Sequence, residues 1–217
     1  MCKMLFKSML VFVLTQFIFI DLIKSQDNFV AMTDIAGFNK KLELSSKNTK
    51  SIECDFVQEK NMSMLAKKVI SKGQFWFKKP GYIRWEYTEP YSYLIIFAKR
   101  KVFIKDNDSK KEYDTQSNKM FKEMGVMLFS FVQGNIKACE KDYVITYMEN
   151  ANSYYIKLIP KTSKLKEMLT QVDLYFDKKD LSVSKINMME IGDDYTLLEF
   201  INKKLNSNIS DSIFVVK

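Results

Sequence analysis

Glu190, Asp193 and Asp194 are carboxylates close enough in sequence to suggest shared acid–base work, and Cys54 and Cys139 could supply a nucleophile or a bridge. Neither set has the partners such chemistry needs. The chain contains no histidine, which removes the usual general base, the Ser/His/Asp and Cys/His nucleophile systems and every His-containing zinc site. Nothing in the spacing sets the three carboxylates on opposite sides of a cleft, and no Cys-x-x-Cys pair points to metal or redox chemistry. Cys54 and Cys139 can form one disulfide in an oxidising compartment or remain two buried thiols. The reading is a protein that is not an enzyme and carries no metal or cofactor.

The residues that stand out are apolar and large. Between positions 75 and 104 lie Phe75, Trp76, Phe77, Ile83, Trp85, Tyr87, Leu94, Ile96 and Phe97. Such a stripe packs a core or lines a site for an apolar ligand. Period-two alternation sets Phe75 and Phe77 on one face and, after the Pro80-Gly81 turn, Ile83, Trp85 and Tyr87 on one face of the next strand. Further strands are expected at 93–97, 102–106, 143–148, 154–160, 168–176, 183–190 and 195–201, separated by turn signals such as Gly192-Asp193-Asp194. Helical spacing appears at 29–45, with Met32, Ile35, Ala36 and Leu42, and again at 118–134, where Phe121, Met124, Leu128 and Phe131 precede Gly134.

These elements amount to a mainly β (α+β) chain: one long antiparallel sheet of about ten to eleven strands, curled to protect its edges, with a few apolar helices on the concave side. Two interiors satisfy that pattern. One is a filled core. The other is a hollow roofed by the Met-rich helix around Met120–Met127, whose flexible thioethers adapt to a ligand of no fixed shape.

Lys3 and Lys7, the apolar run from Met9 to Ile20 and the polar stretch from Asp21 follow the order of a secretory signal peptide, with an uncleaved signal anchor as the alternative. Removing residues 1–25, with Lys3, Lys7, Lys24 and Asp21, takes the net charge from +8 to +6 and leaves 26–217 as a single domain. A basic exported protein favours anionic surfaces or acidic partners over nucleic acid. Basic tips at Lys99-Arg100-Lys101 and Lys178-Lys179 fit solvated loops or such contacts. Arg84 and Glu86 read as a solvated pair.

The segment Gly73–Pro90, GQFWFKKPGYIRWEYTEP, resembles the signature of the periplasmic outer-membrane lipoprotein carrier family (LolA-like proteins). Ser51-Ile52 with Asp55-Phe56 and Gln58, and the ending from Gly192 to Phe214, resemble its first and closing strands. The resemblance implies a half-closed antiparallel β-barrel with a helical lid over a hydrophobic cavity. It further implies a monomeric chaperone that takes acylated lipoproteins from an inner-membrane ABC-type release complex, shields their acyl chains across the periplasm of a Gram-negative bacterium and yields them to an outer-membrane acceptor. Phe75, Phe77, Ile83, Trp85 and Tyr87 match the cavity face, and Leu94, Ile96, Met124 and Leu128 are expected to extend it. Lys79 stands where enteric-type carriers have an arginine that hydrogen-bonds the lid backbone, which makes it the candidate lid latch; a lysine lacks the planar fork. The alternative is an envelope-binding module of the same fold with a filled core, touching a protein or anionic membrane through its basic loops.

Overall fold

The computed structural model describes residues 28–64, 67–107, 109–132 and 134–216, without the side chains of Glu123, Met124, Met127 and Phe131. The expected signal peptide, 1–25, and the Met124 side chain lie outside the described residues. In chain order the elements are β1 (Val30–Ala31), α1 (Ile35–Asn48), β2 (Ser51–Asn61), β3 (Val69–Lys78), β4 (Tyr82–Glu89), β5 (Tyr93–Ala98), β6 (Lys101–Asp106) and β7 (Ser109–Asp114). There follow α2 (Lys119–Val132), a 3₁₀ turn at Ile136–Cys139, β8 (Tyr143–Glu149), β9 (Ser153–Pro160) and the one-turn α3 (Ser163–Lys166). β10 (Gln171–Asp177), β11 (Val183–Met189), β12 (Tyr195–Leu205) and a 3₁₀ turn at Asp211–Phe214 complete the chain.

All twelve strands form one antiparallel sheet in the order β1-β8-β9-β10-β11-β12-β2-β3-β4-β5-β6-β7, so β1 and β7 end the order unjoined and the sheet curls without closing. Its concave face holds one apolar cluster that runs from Ile52 and Phe56 on β2, through Phe75, Phe77, Ile83 and Trp85, to Leu174 and Phe176 on β10. Both long helices lie over this face. In α1, Phe38 meets Tyr154 at 4.6 Å and Tyr147 and Phe176 at just over 6 Å between ring centroids. In α2, Phe129 meets Phe77 at 6.2 Å and Phe97 at 6.4 Å, and Phe121 meets Tyr113 at 4.6 Å.

The structure corrects several expectations. α1 begins at Ile35 rather than near Phe29, because the Asp34 carboxylate caps it by accepting from the Gly37 N–H at 2.8 Å, leaving Met32 buried just upstream. β7 had no sequence signal: Ser-Lys-Lys-Glu-Tyr-Asp alternates only polar groups, as an edge strand can. Met168 precedes β10 because Thr162 caps the short α3. Among the described residues the sheet has twelve strands, against the expected ten to eleven or so.

The convex face of β3–β5 is also covered. Trp76, Leu94 and Ile96 form a second apolar cluster with Ile209 and Phe214, so the C-terminal segment lies across the back of these strands as a strap. Lys78 Nζ donates to the Ile209 carbonyl and pairs with Asp211, both at 2.6 Å, and Arg84 donates to the Ile213 carbonyl at 2.9 Å. Arg84 and Glu86 are thus not a solvated pair: their side chains are 15 % and 27 % exposed, and the guanidinium lies over the Trp76 ring.

Gly73 in β3 fixes the approach of β2 and β4. A Cβ there would stand 2.0 Å from the Glu86 carbonyl oxygen and 2.6 Å from Phe56 Cζ, so the Phe56 ring occupies the space a side chain would need. Gly73→Ala is expected to lower stability by about 2 kcal/mol, the usual cost of overpacking, read as a lower urea midpoint at unchanged slope.

Candidate functional site

The inner face of β2–β4 and the helices above it form the candidate site. Antiparallel pairing puts Cys54 opposite Phe75, Phe75 opposite Trp85 and Phe77 opposite Ile83, so the predicted residues of β3 and β4 do share one face. Phe77 and Ile83 are fully buried, Phe75 and Trp85 nearly so, and Tyr87 is half-buried at the margin. Around Trp85 the rings are tilted or edge-on: Phe56 at 5.1 Å, Phe75 at 5.4 Å, Phe200 at 6.2 Å and Tyr87 at 6.4 Å. Leu128 packs against this cluster from α2.

Leu94 and Ile96 do not. Trp85 pairs with Ile95 and Ile83 with Phe97, whereas Leu94 and Ile96 oppose Glu86 and Arg84 on the convex side, beneath the strap. The Tyr87–Tyr93 pairing keeps the odd-numbered positions inward on both strands, so Ile95 and Phe97 continue the inner face instead. Neither Phe38 nor Phe129, which roof the site, was singled out from sequence; the 3.6-residue spacing of α1 and α2 is the signal that holds them.

The described side chains of the predicted wall are packed against their neighbours. A void of about 10 Å³, room for roughly one water, lies between the last turn of α1, Phe77 and the end of α2 at Val132. A cleft of about 350 Å³ lies elsewhere, among polar residues of the β8–β9 and β10–β11 turns, including Asn152, Lys179 and Ser184.

Lys79 follows β3 directly and reaches α1. Its Nζ donates to the Ser46 carbonyl at 2.6 Å and lies 3.4 Å from that of Lys47, while its backbone N–H donates to Lys50 O at 2.9 Å. The ammonium thus satisfies carbonyls that a helix C-terminus leaves open and lies at the negative end of the helix dipole. A lysine makes these bonds without the planar fork, one strong and one long. On the other flank of α1, Ser45 Oγ donates to the Asp180 carbonyl at 3.2 Å.

Two polar details of the wall bear on binding. Tyr87 donates its hydroxyl hydrogen to Gln58 Oε1 at 2.9 Å, and burial pushes that hydroxyl up to about 12 against a smaller opposite effect of the neighbouring Trp85 indole. The buried Trp85 Nε1–H acts as a hydrogen-bond donor on that Tyr87 hydroxyl, whose oxygen can accept while its own hydrogen goes to Gln58. Cys54 and Cys139 are both buried free thiols. The carboxylates near the β11–β12 turn hold the turn together: Asp194 accepts from the Ser63 N–H, and Glu190 from Thr196 Oγ1 and Lys60. Among the described residues no group of three or more His, Cys, Asp or Glu side chains could hold a metal ion.

An unclosed, curled antiparallel sheet with an aromatic concave face roofed by two helices defines a class of β-sheet proteins, and comparison with known proteins places the chain within it. The sequence profile of the family described as outer membrane lipoprotein carrier protein LolA matches residues 47–217, and the chain belongs to that family. Relatives named outer-membrane lipoprotein carrier protein include one from Methylococcus capsulatus, 23% identical over 171 residues and 77% of each chain. Another, from Francisella tularensis, is 27% identical over 175 residues and 79% of each. Among solved structures, MucB of Pseudomonas aeruginosa, crystallised with MucA, superposes with a TM-score of 0.51 at 9% identity over 85% of this chain and 61% of that one. An uncharacterised conserved protein from Thermus thermophilus gives 0.51 at 7% identity, over 82% of this chain and 92% of that one. At such identities these structures speak to the fold alone.

Lys79→Met is expected to speed amide exchange in the last turn of α1 and to lower stability by about 1 kcal/mol, the worth of a charge-assisted cap, with Lys79→Arg retaining both. Burial pushes the Cys54 thiol up to about 12, so its proton is held more tightly in the fold than in the open chain. That contribution to stability is full below about pH 9 and fades as pH rises toward 12. Thiol reagents at pH 8 should accordingly modify Cys54 only after denaturant is added.

Proposed function

We propose that the protein is a periplasmic carrier that binds the acyl chains of lipoproteins against the inner face of β2–β4 and moves them from the inner to the outer membrane. The observation that carries this reading is the roof over that face. The described contacts of α2 with the sheet include Phe121, Leu128 and Phe129, which lie over the face that carries Phe75, Phe77, Ile83, Trp85 and Tyr87. Gly125 lies against the Phe97 ring, where a Cβ would stand 3.3 Å from Cε1, so the helix lies close to β5. The Lys79 bonds to Ser46 and Lys47 act as the latch on α1.

The energetics suit a carrier. Each buried methylene is worth about 0.8 kcal/mol, so an acyl chain of roughly 16 carbons resists free passage through water by on the order of 12 kcal/mol. A site closed by its own aromatic side chains gives back part of that gain when it opens, which keeps binding moderate and release feasible. Export through a cleaved signal peptide, delivery from an inner-membrane ABC-type complex, hand-over to an outer-membrane acceptor and action as a monomer complete the reading. Among the described residues no helix is long and apolar enough to cross a membrane.

The packed interior favours a second reading, an envelope module that binds a protein or an anionic surface through its basic loops; MucB, solved in complex with MucA, has the same fold. One experiment separates the two. Residues 26–217 mixed with a triacylated lipopeptide are expected to hold it in solution at near one-to-one ratio, with a change in tryptophan fluorescence. No solubilisation and no fluorescence change, together with salt-sensitive binding to anionic vesicles, would establish the second reading instead.

A further inference from the structure

α2 is apolar on more sides than the sheet covers. Lys119, Lys122 and Glu123 are its only charged residues, all before Met124. Phe121 is buried and Leu128 and Phe129 pack on the sheet, yet Met120 and Val126 are 63 % and 62 % exposed. A helix with apolar residues on a second side calls for a second cover. α1 adds to the same surface. Its Phe38 and Leu42 are buried, whereas Lys40, Leu44 and Lys47, spaced for one face, are exposed, Leu44 by 51 %. Both helices lie over the concave face, and Gly134, just past α2, packs on Leu42. The surfaces they turn from the sheet therefore face the same way.

Charge indicates what the cover is. Lys40, Lys41 and Lys47 on α1 and Lys122 on α2 are exposed. The carboxylates of α1 and its cap are Asp34, committed to the Gly37 N–H, and Glu43, which pairs with Lys47 at 2.6 Å. Apolar tips elsewhere lack this balance: Met64 and Ile191 are exposed at connections where Glu59, Asp193 and Asp194 offset the neighbouring lysines. In the basic loops, Lys101 and Lys178 are paired with Glu112 and Glu149. Long apolar side chains ringed by lysines suit a bilayer with anionic headgroups, where the apolar groups enter the headgroup boundary and the ammonium groups meet phosphate.

We propose that the outer face of α1 and α2 docks on an anionic phospholipid bilayer, with Leu44, Met120 and Val126 at the headgroup boundary and Lys40, Lys41, Lys47 and Lys122 around them. The docking goes beyond the carrier reading and does not depend on it. Where both hold, the wall of Phe75 and Trp85 stands one helix thickness, about 10 Å, from the lipids, so an acyl chain crosses that distance and not open water.

The test floats residues 26–217 with vesicles of phosphatidylcholine, alone or with one-third phosphatidylglycerol, at low and high salt. Binding is expected to the anionic vesicles only, and to fall at high salt. Lys40→Gln with Lys41→Gln should weaken it by roughly twentyfold, near fivefold for each lysine. Leu44→Ser with Val126→Ser should weaken it by roughly tenfold. All four side chains are exposed, so a nearly unchanged urea midpoint checks that the fold is intact. Lys99→Gln with Lys179→Gln, in the loops, should bind within about twofold of the unaltered protein. Cys54 and Cys139 are buried, so a polarity-sensitive dye on Leu44→Cys labels one site; its emission should shift blue on anionic vesicles, while the same dye on Met64→Cys should not respond. No binding to anionic vesicles, or binding that survives both helix pairs, overturns the docking. A dimer that Leu44→Ser with Val126→Ser dissociates, with no vesicle binding by the unaltered protein, overturns it too and assigns the face to a second copy of the chain. Lipopeptide solubilisation is read separately: its failure overturns the carrier reading and leaves a demonstrated docking standing, and its success does not rescue a docking that the vesicles refute.

Discussion

A sheet that curls but does not close has a concave face that something else must keep from water. Here β1 and β7 end the strand order without meeting, and the rings on β2–β4 would be wet without cover. α1 and α2 supply it. Their placement follows from that requirement, because an apolar face of this size cannot stay solvated at modest cost.

The two helices meet the need differently. α1 is held through ring contacts from Phe38 and also by polar bonds at its C-terminal turn, from Lys79 on one flank and Asp180 on the other. α2 rests on the sheet by apolar contacts and ends near Gly134, whose positive φ and close approach to Leu42 leave no space for a side chain. Apolar contacts are non-directional, whereas the bonds on α1 are directional. The convex face obeys the same rule: β3–β5 are apolar on both sides, and the C-terminal strap seals the second side with Ile209 and Phe214.

Much of this was legible in the residues. Period-two alternation fixed the shared face of Phe75 and Phe77 and that of Ile83, Trp85 and Tyr87, because a tight turn at Pro80-Gly81 leaves little freedom in register. Leu128 followed from helical spacing. Leu94 and Ile96 were misplaced because facing depends on the parity of the Pro90–Ser92 connection, and both faces of β5 are apolar, so hydropathy cannot choose between them. Arg84 and Glu86 looked solvated since nothing local indicates that residues 209–214 lie over them.

By itself, then, the sequence determined the class of fold, the absence of histidine-based chemistry, the family signature in Gly73–Pro90 and the inward stripe on β3 and β4. These are properties of neighbouring residues, set by backbone periodicity and side-chain type. Only the tertiary structure decided which face of β5 is inside, that Lys79 meets the end of α1 and that the C-terminal strap lies over Arg84. Each of these depends on atoms far apart in the chain being brought together, which no local pattern encodes.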